Sequence, residues 1–214
     1  MERTNFAWLF AGLIGLLVSA PLLESGGVGA SAAIEGALTS LLLVGAWSLR
    51  GEGRWFTVAL GLGALNLVAI AGFLASGNPV WTTLATVALL AFCVLGAIVS
   101  IRFILSSAEI DANHLLGALT VYLLLGVIWA LLYELLRLHD PSAFANLARG
   151  VGEPGATGEL LYFSYVTLTT LGYGDVSPAS ASARSLATLE AILGQLFLAV
   201  LIASLIGRFR PRTG

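Results

Sequence analysis

The sequence predicts an all-α membrane protein, and three observations support that prediction. Hydrophobic residues make up 58% of the 214 residues and charged residues 10%, whereas soluble domains carry about a quarter charged residues. Six apolar runs are each long enough to cross a hydrocarbon core of ~30 Å, which takes roughly 17 to 25 helical residues. Between the last two lie a shorter apolar run and a glycine-rich polar run. We therefore expect six transmembrane helices and one re-entrant segment.

The six predicted spans follow one another with mostly short connections. They cover residues 6–23, 30–49, 55–75, 80–105, 113–138 and 183–207. Breaker residues such as Ser76-Gly77-Asn78-Pro79 separate the first four spans, so these spans form tight antiparallel hairpins. The first span has features of a signal peptide, because Arg3 precedes an apolar stretch that ends at Ala20. Because Pro21 directly after that site is unfavourable for cleavage, we interpret residues 6–23 as a transmembrane span.

Arginine placement predicts the orientation of the chain in its membrane. All the basic residues are arginine, and most of them lie on one side if both termini are cytoplasmic. The cytoplasmic set is Arg3, Arg50, Arg54, Arg102, Arg208, Arg210 and Arg212, and the outer set is Arg137, Arg149 and Arg184. We expect a multi-pass protein of the plasma membrane with both termini cytoplasmic. The absence of lysine and the abundance of Ala, Gly and Leu are typical of GC-rich prokaryotes, which indicates an inner membrane.

The polar run from Thr167 to Pro178 reads TLTTLGYGDVSP, and its glycine spacing indicates a particular use of the backbone. Consecutive carbonyls point the same way when residues alternate between ordinary and left-handed geometry, which is cheap only for glycine. Gly172 and Gly174 alternate with Leu171 and Tyr173 in that way. A ring of such carbonyls from several subunits can replace the water around a monovalent cation. We interpret the run as an ion selectivity filter.

The segment Thr170-Leu171-Gly172-Tyr173-Gly174-Asp175 resembles the filter signature of the tetrameric potassium channels. Their commonest filter has valine where this chain has Leu171, whose contribution is its carbonyl. The resemblance covers about residues 113–207 and implies a homotetrameric, potassium-selective channel subunit with a re-entrant pore helix and filter loop. It implies no cofactor apart from the permeant ion. The implied K+ ligands are the carbonyls of Thr170, Leu171, Gly172 and Tyr173 and the hydroxyl of Thr170, with Gly174 completing the filter.

The resemblance divides the chain into two predicted domains. Residues 1–112 form a four-helix peripheral domain, in which nothing up to residue 105 is specific to the family. Residues 113–214 form the pore domain, which consists of an outer helix, the pore helix, the filter and an inner helix.

Four residues outside the filter are predicted to support it. Asp175 is similar to the family aspartate that accepts a hydrogen bond from an aromatic residue thirteen positions upstream, which is Tyr162 here; the alternative is that Tyr162 only packs. Glu134 is similar to the family glutamate that bonds the backbone after the filter. Glu190 lies at membrane depth, where an ionisable group is a functional candidate by default. The favoured interpretation is a buried carboxyl, protonated or hydrogen-bonded to pore-helix hydroxyls, that holds the filter scaffold.

The sixth span carries the predicted cavity and gate. Gly194 follows Gly172 by 22 residues, the spacing of the family's hinge glycine, and fits either a bend or close helix packing. One face of the helix then continues with Gln195, Leu198, Ile202 and Ile206. On this interpretation the last two form a hydrophobic constriction that closes by dewetting. The alternative for the three apolar residues is a face that contacts lipid or another helix.

The peripheral spans have the helix number of a voltage sensor but not its charges. The fourth span offers only Arg102, near its cytoplasmic end, so we expect weak voltage dependence. The gating stimulus is left open, since an intrinsic gate and an unknown regulatory partner both fit the sequence.

Three other functions are alternatives to a potassium channel. A weakly selective monovalent cation channel has the same fold, and a six-helix scaffold or transporter has no central pore. An enzyme is the weakest alternative, because the sequence has no HExxH, GxSxG or phosphate-loop motif and His114 and His139 lack metal-ligand spacing. Membrane lipids are expected contacts, and no basic patch predicts a nucleic-acid partner.

Overall fold

The computed structural model describes residues 6–24, 53–106, 112–147 and 156–208. The predicted second span, at residues 30–49, lies outside the described residues. Within them the chain forms helices joined by short connections and one small pair of strands. The helices are α1 (Phe6–Glu24), α2 (Arg54–Ser76), α3 (Pro79–Ser106), α4 (Ala112–His139), α5 (Ala156–Leu168) and α6 (Ala181–Arg208), and the strands are β1 (Phe144–Ala145) and β2 (Ser177–Pro178).

Four of the described helices are long and apolar enough to cross a membrane. Their spanning stretches are Arg54–Ser76, Pro79–Ile104, Asn113–His139 and Ala181–Ser204. They confirm the third to sixth predicted spans to within a few residues. The first predicted span is helical as expected, since α1 covers Phe6–Glu24. The mostly helical structure is that of a multi-pass membrane protein.

The hairpin of α2 and α3 is as tight as its turn residues predict. Gly77 adopts the left-handed conformation, with φ at 63°, and its N–H donates to the Phe73 carbonyl, which ends α2. The Asn78 side chain accepts a hydrogen bond from the Val80 N–H at 3.0 Å and so caps α3. A Cβ on Gly72 would lie 2.5 Å from the Trp81 ring, so the two helices approach closely at this level.

Helix α4 packs against α1, α2 and α3 and also against α5. One buried apolar cluster joins it to α1, α2 and α3, with Leu13, Phe92 and Val127 among its members. A second cluster joins it to α5 and the start of α6 through Tyr133 and Leu160. In its spanning stretch 61% of residues are buried, against 11% in α6. In a single chain α6 therefore leaves most of its apolar surface uncovered.

The two short strands tie the loop after α4 to the segment that follows the glycine-rich run. They pair antiparallel, with Phe144 opposite Pro178 and Ala145 opposite Ser177. Next to the pair, the Ala143 carbonyl accepts hydrogen bonds from two further backbone N–H groups at 2.8 and 3.2 Å. The exit of the glycine-rich run is thereby fixed to the end of α4.

Candidate functional site

The glycine-rich run leaves α5 in a regular alternating backbone. Positive φ angles occur at Thr170 (61°), Gly172 (60°) and Gly174 (76°), so every second residue is left-handed. The alternation at the two glycines is what their spacing predicts. Left-handed geometry at Thr170 was not predicted, because a β-branched residue rarely adopts it. The run therefore has the backbone geometry that points successive carbonyls in one direction.

The C-terminal end of α5 imposes the start of this geometry. The Val166 carbonyl accepts hydrogen bonds from the N–H groups of Leu171 and Gly172, at 2.9 and 3.2 Å. The Thr170 N–H donates to the Thr167 carbonyl at 3.0 Å. These bonds reverse the chain within a few residues, and the strain at Thr170 is offset by the helix end that it closes.

The run is exposed in the single chain. Leu171 is 54% and Tyr173 67% exposed, although both are large and mainly apolar. A Cβ placed on Gly172 or Gly174 would meet no atom within 4 Å. The structure of one chain thus leaves open space beside the aligned backbone, as expected of one strand of a ring built by several copies.

Tyr162 and Asp175 form the hydrogen bond that the sequence left open. The Tyr162 hydroxyl donates to Asp175 Oδ2 at 2.7 Å, and Oδ1 accepts from the Val176 N–H at 2.9 Å. The phenol reaches the aspartate from the side of α5, so Tyr162 does more than pack. The hydrogen bond from Tyr162 holds the pKa of Asp175 below its usual range, and the group stays ionised at neutral pH.

The Tyr162–Asp175 bond predicts a pH dependence that Tyr162→Phe should change. A carboxyl whose pKa is lowered by folding contributes stability above its unfolded pKa of ~3.9, and that stability is lost as pH falls through the folded pKa. We expect the thermal midpoint of Tyr162→Phe to lie below that of the wild type at neutral pH. The gap should close on acidification below about pH 4. A gap of constant size over the whole pH range would contradict the assignment.

Glu190 is fully buried and joins three helices. Its exposed fraction is 0%, and its carboxyl accepts a hydrogen bond from the Tyr133 hydroxyl of α4. The Ser164 hydroxyl of α5 lies 2.5 Å from Oε1 of Glu190 and 2.8 Å from the Gly126 carbonyl of α4. The favoured sequence interpretation, a buried carboxyl bonded to a pore-helix hydroxyl, matches this geometry. Tyr133 is a partner that sequence reasoning missed.

Glu134 has a different partner from the one predicted. Its carboxylate accepts hydrogen bonds from the Arg137 guanidinium, from Nη2 at 2.6 Å and from Nε at 3.0 Å. Both side chains are buried, and they lie one turn apart on α4. Among the described residues the partner of this carboxylate is Arg137, and the predicted bond to the backbone after the filter stays a prediction. An arginine three positions along a helix is within easy reach.

Two further contacts hold α5 against α4, and sequence reasoning identified neither. The Tyr165 hydroxyl donates to the Leu123 carbonyl at 2.7 Å. Its ring lies directly over Gly126, where a Cβ would be 2.7 Å from Cζ. The only sequence signal is a glycine within a long apolar helix, which marks a close approach but not its partner.

Gly194 packs closely against the end of α5. A Cβ at this position would lie 2.7 Å from the Leu168 carbonyl oxygen and 2.8 Å from Leu168 Cδ1. Of the two interpretations that the sequence left open, the geometry favours close packing, since α6 is one continuous helix from Ala181 to Arg208.

The side chains on the predicted cavity face of α6 are no more exposed than those on its other faces. Gln195 is exposed, Ile202 is exposed and Leu198 is half-buried, but Leu196 and Val200 on other faces are exposed as well. The side chain of Ile206 lies outside the described part of the molecule. The gate therefore stays a prediction.

Known proteins resemble part of the chain. Residues 117–210, which run from α4 to just beyond α6, match the model of a family described as ion channel. Over 62 residues the chain is 42% identical to the inward rectifier potassium channel Kirbac3.1 of Paramagnetospirillum magnetotacticum. That stretch is 28% of this chain and 21% of the relative's length. No solved structure matches the chain. Together the two matches support an ion channel.

Proposed function

We propose that the chain is one subunit of a homotetrameric potassium channel that conducts K+ passively across a prokaryotic inner membrane. The observation that carries the proposal is the alternation of left-handed residues at Thr170, Gly172 and Gly174. The carbonyls of residues 170–173 and the Thr170 hydroxyl would replace the water around the ion. Conduction of this kind is passive and needs no catalytic group.

The uncovered surfaces of the single chain support a tetramer. One chain supplies one strand of a filter that needs four, and that strand is exposed. Helix α6 is as apolar as a spanning helix yet has 11% of its stretch buried. Four copies around an axis would cover the inner face of α6 and bring the strands together. A scaffold or transporter without a central pore would have no use for an exposed run of this geometry.

The orientation of α5 would add to the stabilisation of a cation. Its first turn carries Glu159, which suits the positive end of the helix dipole. Its last turn leads directly into Thr170, so four negative helix ends would point toward the ion path. In this arrangement residues 113–214 form the pore module and residues 1–112 form a peripheral domain, with both termini cytoplasmic.

Reconstitution into liposomes tests the proposal. We expect a K+ flux that barium blocks and that greatly exceeds the Na+ flux under the same gradient. Native mass spectrometry of the same preparation should give a tetramer. Equal K+ and Na+ fluxes would favour the weakly selective channel. A monomer without flux would favour a scaffold.

Voltage dependence is expected to be weak. Arg102 is exposed near the end of α3 and lies 5.3 Å from the centroid of the Trp55 ring, which Arg54 also approaches to 5.0 Å. A charge that crosses the whole field contributes ~2.3 kcal/mol per 100 mV, so four copies of Arg102 contribute at most ~9 kcal/mol. An arginine at a helix end crosses only a small part of the field. Its aromatic partner and position fit an interfacial anchor.

Planar-bilayer recordings measure this property directly. The conductance–voltage curve should be shallow, and Arg102→Gln should leave its slope unchanged. A steep curve that Arg102→Gln flattens would show that this charge senses voltage.

A further inference from the structure

The hydrogen bonds around Glu190 can be counted atom by atom, because every partner is buried. Three oxygen–oxygen contacts form one chain, from the Tyr133 hydroxyl to Glu190, from Glu190 to the Ser164 hydroxyl, and from Ser164 to the Gly126 carbonyl. Glu190 and Ser164 are both 0% exposed. Each contact needs one hydrogen, since two oxygens at these distances repel each other without one.

The count favours a proton on the glutamate. Tyr133 and Ser164 supply one hydroxyl hydrogen each, and the Gly126 carbonyl supplies none. A Ser164 hydrogen directed at Glu190 leaves the contact with Gly126 without a well-aligned hydrogen, and one directed at Gly126 does the same to the contact with Glu190. If Glu190 is a carboxylic acid, it donates to Ser164, Ser164 donates to Gly126, and Tyr133 donates to the other carboxyl oxygen. If Glu190 is ionised, one of the three contacts has no hydrogen.

The surroundings of Glu190 also disfavour a charge. Among the described residues it forms no ion pair, and the titratable groups that face it are the phenols of Tyr122 and Tyr133 on α4 and of Tyr165 on α5. These phenols are neutral at neutral pH. A buried carboxylate without a cation is costly. The absence of a nearby cation and the number of available hydrogens therefore both favour the neutral carboxylic acid form of Glu190.

We propose that Glu190 is a neutral carboxylic acid that locks the re-entrant helix α5 to α4 and α6, and that its ionisation at alkaline pH releases this lock and reduces conduction. The regulatory part rests on the proposed function, because α5 leads directly into Thr170. On ionisation Glu190 can no longer donate to Ser164. Ser164 must then leave either Glu190 or Gly126, and a lone charge remains between three helices.

Glu190→Gln separates the neutral form from the charged form. Its amide group donates to Ser164 and its carbonyl accepts from Tyr133, so all three contacts keep a hydrogen at every pH. Glu190→Leu keeps a similar volume but leaves the hydroxyls of Tyr133 and Ser164 without their partner. We expect the Gln variant to conduct and the Leu variant to lose stability.

The first measurement needs no channel activity. Infrared spectra of the purified wild type and of Glu190→Gln are recorded at neutral pH and subtracted. The difference spectrum should contain the C=O stretch of a protonated carboxyl group. This band should disappear at alkaline pH. The thermal midpoint of the wild type should fall over the same pH range, whereas that of Glu190→Gln should not. A difference spectrum that contains a carboxylate band at neutral pH would overturn the proposal.

The second measurement is K+ flux in liposomes from neutral to alkaline pH. The wild-type flux should fall about tenfold, which corresponds to ~1.4 kcal/mol, and the Glu190→Gln flux should stay level. An equal fall in both proteins would overturn the regulatory role. If the wild type conducts K+ at no pH, the proposed function fails. The infrared band and the thermal midpoint still decide whether Glu190 is a neutral carboxylic acid that holds α5 to α4 and α6.

Discussion

Gly172→Ala is expected to abolish potassium flux while the chain still folds and assembles. Gly172 has φ at 60°, and a Cβ there would meet no atom within 4 Å. The substitution therefore acts through backbone strain and not through a clash. A left-handed non-glycine residue costs roughly 1–2 kcal/mol, so four copies in one filter cost about 4–8 kcal/mol. Even the lower figure reduces the conducting conformation about a thousandfold.

Gly77→Ala is the matched control for this experiment. Gly77 has almost the same φ, 63°, and equally open surroundings, but it lies in the turn between α2 and α3. The Gly77→Ala variant should lose about as much free energy of unfolding per chain as Gly172→Ala, but it should keep its K+ flux. Both variants are measured in the same liposome assay, with tetramer content checked by native mass spectrometry. Normal flux in Gly172→Ala, or equal loss in both, would show that the run is not the ion path.

Gly126→Ala is expected to destabilise the chain by about 1–3 kcal/mol, the usual cost of overpacking. The added methyl group would overlap the Tyr165 ring, with Cδ1 at 2.9 Å and Cζ at 2.7 Å. The ring cannot move away freely, because its hydroxyl is bonded to the Leu123 carbonyl. Helix α5 must therefore shift away from α4, and the glycine-rich run that follows it would shift as well.

Gly96→Ala on α3, which packs against a different face of α4, provides the comparison. There a Cβ would lie 3.7 Å from Leu124 Cδ1, which is ordinary contact, and alanine favours a helix over glycine by ~1 kcal/mol. We expect this variant to be as stable as the wild type or more so. Thermal unfolding in detergent measures both. If Gly126→Ala is as stable as Gly96→Ala, the close approach of Tyr165 to α4 is absent in solution.

Local patterns were sufficient to predict the helices that the structure describes and the geometry of the two glycines. The spans at 55–75 and 80–105 were placed to within a few residues because apolar runs end at breaker residues such as Gly77 and Pro79. The left-handed glycines followed from their alternation with Leu171 and Tyr173. The positive φ of Thr170 did not follow, because it is imposed by hydrogen bonds between the glycine-rich run and the end of α5 and opposes the preference of threonine.

Contacts between distant residues were the part that the sequence could not supply. Glu190 was recognised as a buried carboxyl, but its partner Tyr133 lies 57 positions away, and one sequence does not show which polar groups meet inside a helical bundle. The contact of Glu134 with Arg137 was within reach of sequence patterns, since the two residues lie one turn apart on the same helix.

Crystals of the purified protein grown with rubidium in place of potassium would show whether the glycine-rich run lines an ion path. Rubidium carries the same charge and is located by its anomalous scattering. We expect a row of anomalous peaks on a four-fold axis, surrounded by the carbonyls of residues 170–173 from four chains. A structure in which this run packs against its own chain, away from any symmetry axis and without bound rubidium, would contradict the proposed function.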